Sequence, residues 1–168
     1  MKNNTERELM KNYGYAPFQD WEWRSYDGKD VVDIAEFIKN NNDCLFFIGT
    51  DSKNYPKNRR CVFTTALIAY RMGKGGAVIM HRDKTDFMDQ LRPRLLMEAM
   101  RSLETAWYLD GKLPSKNIIT IHLDVNKDLK FKSGKYKDEL LGMIIAQGFK
   151  TIVKPDSWAS SSVADRGC

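Results

Sequence analysis

Two apolar runs that each stop at a carboxylate constrain this chain more than any other feature in it. Leu45, Phe46, Phe47 and Ile48 lead through Gly49 and Thr50 to Asp51, and Ile118, Ile119, Ile121 and Leu123, interleaved with Thr120 and His122, lead to Asp124. A short run that is apolar on both faces is the pattern of a central strand covered on both sides. An acid at the carboxyl end of such a strand stands where open α/β sheets gather ligands and metal ions. The competing use of a strand-ending Asp is to bond the backbone of the following turn. Two such strands lying parallel would set their acids side by side, which favours a functional use. Carboxylates ~5 Å apart repel by about 3 kcal/mol even at an effective dielectric near ~20, so three or four converging acids need a cation among them.

The rest of the chain supplies the elements around these strands. At 168 residues with 42% apolar content it suits one domain with its own core. No stretch approaches a membrane span, and the polar start from Met1 to Glu6 is unlike a signal peptide, so a cytoplasmic protein is expected. Three cysteines without a CxxC pair support neither a disulfide framework nor a zinc site. Residues 1–30 hold Tyr13, Tyr15, Phe18, Trp21, Trp23 and Tyr26 without a clear period and read as an irregular strap. Residues 30–38 have helical spacing, so 1–43 form an N-terminal strap and helix packed on a domain of residues 44–168. Strands are predicted over 45–50, 61–70 and 77–80 as an antiparallel meander, with Gly73 to Gly76 as a hairpin rather than a phosphate loop. A helix over 85–109 carries Pro93 within it, a strand follows over 117–124, a helix over 133–147, a strand over 151–153, and helical turns over 159–166.

That order of elements is similar to a ribonuclease H fold: α/β, with a five-stranded mixed sheet and helices on both faces. More narrowly, Ile48-Gly49-Thr50-Asp51-Ser52, His122-Leu123-Asp124-Val125 and the run from Lys154-Pro155-Asp156 to Asp165 resemble the bacterial YkuK-like, ribonuclease H-like family. The resemblance implies a divalent-metal-dependent nuclease with two Mg2+ or Mn2+ ions held between carboxylates, acting on RNA, an RNA/DNA hybrid or structured DNA. Asp51 and Asp124 match the acids of the first and fourth strands, Asp165 that of the terminal helix, and Glu98 is the candidate for the acid of the first long helix. Glu104 and Asp156 are its alternatives. Arg94 and Arg101 flank Glu98, so a surface ion pair explains it as well.

Charge points the same way with less force. The balance of 27 Lys and Arg against 22 Asp and Glu is mildly basic. Lys130, Lys132, Lys135 and Lys137 crowd the segment after Asp124, and Lys53 follows Asp51. Such a cluster suits a phosphate backbone, although a solvated loop and helix face has the same composition. Nothing reads bases, so nucleic acid is the expected partner through shape and backbone charge. Two further readings stand beside the nuclease. One is a nucleic-acid-binding module without turnover. The other, an ATP-binding relative of the fold, is disfavoured because those proteins duplicate the domain. His122 is read as a core histidine.

Overall fold

The computed structural model describes residues 16–164. Seven strands form one mixed sheet: β1 (Trp23–Ser25), β2 (Val31–Val32), β3 (Leu45–Tyr55), β4 (Arg60–Arg71), β5 (Gly75–Asp86), β6 (Ile119–Asn126) and β7 (Lys150–Lys154). Their order across the sheet is β2-β1-β5-β4-β3-β6-β7, antiparallel from β2 to β3 and parallel from β3 through β6 to β7. Three helices accompany it: α1 (Ile34–Asn40), α2 (Leu91–Asp110) and α3 (Lys137–Ile145). The sheet exceeds the expected five strands because part of the aromatic strap is regular. Trp23 pairs with His81 and Arg24 with Met80, which extends the sheet at the β5 edge. Tyr13 and Tyr15 lie outside the described residues.

The meander is longer than its apolar segments suggest. β3 runs on through Asp51-Ser52-Lys53-Asn54-Tyr55, and its register with β4 holds from Leu45↔Tyr70 to Tyr55↔Arg60. Asp51 therefore lies inside the strand, not at its end. It nevertheless marks the end of the parallel pairing, whose last β3–β6 partners are Gly49 and His122. β5 likewise continues to Asp86, in place of an early helix start. Its second half is polar, but His81 and Thr85 point inward while Arg82, Lys84 and Asp86 are exposed, which is strand alternation in hydrophilic residues. Helix α2 then begins at Leu91, so Pro93 sits in the first turn, where the missing N–H would have had no partner, and no kink is needed.

The main core fills the space between the sheet and the three helices, with Phe46, Ile48, Leu67, Ile79, Ile119 and Ile121 meeting Ala99, Leu103, Leu140 and Ile144. The opposite sheet face carries less cover. A π-helical turn, Ala159–Ala164, lies on it, and Ala159 and Ala164 pack against Ala66 and Ile68, with Phe47, Met80 and Val163 around them. Small residues on both sides let the turn approach the sheet closely. His122 fixes its start: the buried ring accepts a hydrogen bond at Nδ1 from the Ala159 N–H at 3.0 Å and meets Trp158 edge-on at 5.1 Å. Burial lowers the His122 pKa to about 4, so the ring is neutral. The core reading of this histidine holds, and its core task is to hold the turn.

Candidate functional site

Alternation along β3 decides which acid faces what. Thr50 and Ser52 point to α2: Thr50 Oγ1 lies 2.9 Å from Ser102 Oγ, and Ser52 Oγ donates to Glu98 Oε1 at 2.5 Å. Phe47 points the other way, against His122 and Trp158 at ring distances of 5.2 and 5.0 Å. Asp51 shares the Phe47 face. On β6, Ile121 and Leu123 enter the main core, so His122 and Asp124 share the face of Phe47. The parallel pairing ends at Gly49↔His122, so Asp51 and Asp124 each lie two residues beyond its last pair. Two acids from neighbouring parallel strands thus share the thinly covered side of the sheet just past that pairing.

Glu98 approaches the same strand position from the other side. It is buried, at 6% exposure, which excludes the surface ion pair. Arg101 is turned away from it and grips Asp83, with Nε to Oδ1 at 3.0 Å and Nη2 to Oδ2 at 2.5 Å. Burial pushes the Glu98 carboxyl well above the usual carboxylate range; the Ser52 hydrogen bond opposes that rise, Asp51 and Asp124 add to it, and Arg94 offsets part of it. Glu98 therefore feels both strand acids, although it sits on the opposite face. Burial also pushes up the nearby Cys61 thiol. Cys44 and Cys61 are both buried free thiols.

Asp124 is held by a residue that the strand pattern does not flag. Lys154 Nζ, at the end of β7, stands 2.6 Å from Asp124 Oδ1, with the two side chains 33% and 19% exposed. The contact is one of charge and distance, since that buried oxygen has no directed hydrogen-bond partner among the described residues. With Glu98 engaged by Ser52 and Asp124 by Lys154, no three metal-ligating side chains close on one point among the described residues. Asp165 lies outside the described residues, although the turn preceding it covers the Asp51 face. Of the alternatives to Glu98, Asp156 is an exposed acid paired with Lys127 at 3.2 Å, and Glu104 lies six residues further along α2.

The donor set fits a hard divalent cation in three respects. The donors are carboxylate oxygens, one of them, Asp124 Oδ1, is buried and lacks a directed partner, and a third carboxyl, that of Glu98, lies near enough to feel both strand acids. The lysines are more dispersed. Lys53 is exposed, with Nζ 5.8 Å from the Tyr55 ring centre. Lys130 and Lys137 are paired with Asp128 and Asp138 at 3.2 and 3.5 Å, while Lys132 and Lys135 are exposed. Between them Leu129 and Phe131 are 76% and 46% exposed. The loop is closed around Gly134, where a Cβ would stand 2.2 Å from the Asp128 carbonyl oxygen.

A family model described as Ribonuclease H-like matches residues 30–168. The chain belongs to the ribonuclease H-like family. Within it, the chain is similar to the Bacillus subtilis (strain 168) relative named Uncharacterized protein YkuK, at 32% identity over 159 residues, covering 82% of this chain and 88% of the relative. The YkuK-like resemblance of the three sequence segments is thereby established, and the family match begins well before residue 44, within the N-terminal region. No helix among the described residues is long and apolar enough to cross a membrane.

Two residues beside these acids, Ser52 and Lys154, are given no role by the sequence pattern, while Arg94 is recognised only as a charge flanking Glu98. Ser52 is findable, because it follows Asp51 on a strand and must face the opposite side. Lys154 opens the Lys-Pro-Asp segment that carries the family resemblance, but a lysine ending a strand looks like any solvated residue. Arg94 lies four residues before Glu98 on one helix face, and its Nε is buried without a hydrogen-bond partner among the described residues.

Proposed function

We propose that this chain is a cytoplasmic divalent-metal-dependent nuclease that hydrolyses phosphodiester bonds of RNA, an RNA/DNA hybrid or structured DNA. The observation that carries the reading is the placing of Asp51 and Asp124 on one face of the sheet, each two residues past the last β3–β6 pair, with Glu98 of α2 near enough to feel the charge of both. Asp51 and Asp124, with Glu98 and Asp165, are the residues that would hold Mg2+ or Mn2+. Such ions supply water of lowered pKa and neutralise charge on a phosphodiester in flight. Ser52 keeps the Glu98 carboxyl pointed at the strand position of the acids, and Lys154 balances Asp124. Substrate is held by its backbone: Lys53 flanks the acids on one side, and Lys130, Lys132, Lys135 and Lys137 follow Asp124 on the other, with Phe131 exposed among them as a surface for a base. The family's association with nucleic-acid chemistry supports the substrate class.

A cleavage screen over RNA, DNA and hybrid substrates with Mg2+, Mn2+ and EDTA tests this reading. Cleavage that needs the metal and is lost in Asp51→Asn is expected; no cleavage of any substrate with either metal removes it. A second reading, a nucleic-acid-binding module without turnover, is favoured by one observation: no three acids close on a point among the described residues. It predicts binding in the screen with no product.

A further inference from the structure

Asp124 already has a cation on it. Lys154 Nζ lies 2.6 Å from Asp124 Oδ1, and both side chains are largely withdrawn from water. That oxygen makes no directed hydrogen bond among the described residues, so the contact is a point charge set against a carboxylate, as a metal ion would be. The neighbouring cations are otherwise engaged. Lys127 is paired with Asp156 at 3.2 Å, and Arg101 with Asp83.

We infer that the Lys154 ammonium fills the second cation position of the acid site, so that the native chain takes up one divalent ion fewer than its carboxylates could hold. This deepens the hydrolase reading above and rests on it for the use of the site. Charge favours the smaller number. Lys154 already sets a fixed positive charge against Asp124, and a second divalent ion there would add two more beside the ammonium in a half-buried site, where unbalanced charge is costly. Position agrees with charge. β7 ends at Lys154: Val153 pairs with Leu123 and Lys154 with Asn126, so Asp124 lies in the register shift between these two pairs, within reach of the Lys154 ammonium. The lysine is thus placed by strand geometry, on the same thinly covered face as Asp51 and Asp124.

The test is a count. Full-length wild type, Lys154→Met and Lys154→Arg are titrated with MnCl2, following heat by calorimetry and free Mn2+ by electron paramagnetic resonance, with far-ultraviolet circular dichroism to confirm folding. Lys154→Gln stands in should the Met variant not fold. The expected result is one more Mn2+ per chain in Lys154→Met than in wild type, with Lys154→Arg at the wild-type count because it restores the charge. An unchanged count in the neutral variants overturns the inference, whatever happens to affinity. The hydrolase reading fails separately, through absence of metal-dependent cleavage, and the count is informative whether or not the chain cleaves.

Discussion

Asp83 and Asp124 are both largely buried acids held by a basic residue, on opposite faces of one sheet, and the manner of holding separates structure from chemistry. Asp83 gives both oxygens to the Arg101 guanidinium in a fork, and Arg101 in turn donates to the Met97 carbonyl at 3.2 Å and lies 3.9 Å from the Phe63 ring centre. The arginine is fully buried, so the pair is a closed unit with directed bonds and no route for exchange. Asp124 gives one oxygen to a single ammonium, without hydrogen-bond direction, at a site one-third open on the lysine side. A charge held so loosely can be traded for another. The same contrast separates the two faces: the α2 side is a thick core with satisfied polar ties, while the acid side is covered by one short turn.

Breaking the closed pair gives the largest effect on stability. Arg101→Met leaves Asp83 buried without its partner and should cost about 3–5 kcal/mol. Chemical denaturation reads this, and Mn2+ uptake by the folded fraction should be unchanged. Acid comes next. The His122 pKa falls from 6.5 to about 4 on folding, so as pH drops below 6.5 the unfolded chain takes up the proton first and stability declines until about pH 4. The loss over that window is roughly 3 kcal/mol. His81, lowered mainly by burial, acts in the same direction. Protonation of the folded ring at Nδ1, which sets in near pH 4, also breaks the Ala159 bond, so proteolysis within 159–164 should rise as pH falls toward and below 4, and a flat profile would remove His122 from its place holding the turn.

Smaller effects sharpen the acid side. Glu98→Gln keeps a group for Ser52 to bond but removes a buried carboxyl whose ionisation is opposed by burial and by two acids, and should raise metal-free stability at neutral pH by about 1 kcal/mol, read as a higher Tm. Lower stability would mean that Glu98 is structural, like Asp83. Lys132→Ala with Lys135→Ala should leave stability within about 0.5 kcal/mol while flattening the salt dependence of nucleic-acid binding by roughly 0.9 for each phosphate that is no longer neutralised. An unchanged slope would make the loop an ordinary solvated face.

Much of this contrast is written in residue order. The two apolar runs ending in Asp51 and Asp124 announce adjacent central strands, and β3 and β6 do pair in parallel. Glu98 is singled out only through the family pattern, because its contact with Ser52 joins residues 46 apart in the chain. The strands outrun their apolar segments wherever their second halves turn polar, as at Ser52-Lys53-Asn54 and Arg82-Asp83-Lys84, since alternation there is carried by charged and hydroxyl side chains rather than by apolar ones. Pairs such as Arg101 with Asp83 and Lys154 with Asp124 join residues 18 and 30 apart in the chain, and no local periodicity encodes them. Lys154 is the instructive case: its sequence context marks a family, and only the sheet reveals its partner.

The central claim is that Asp51 and Asp124 form one site that works by exchanging charge, and metal-dependent cleavage tests it most directly. Asp51→Asn and Asp124→Asn are assayed beside wild type on the best substrate of the screen, with Mg2+ or Mn2+ and with EDTA, after confirming that each is folded. Each substitution should reduce turnover by about a thousandfold, the equivalent of roughly 4 kcal/mol of transition-state stabilisation, with the Tm of Asp51→Asn equal to or above that of the metal-free wild type and that of Asp124→Asn lower, because Lys154 loses its partner. Either variant cleaving at the wild-type rate would contradict the account, since an acid that can be neutralised without consequence is not part of the chemistry.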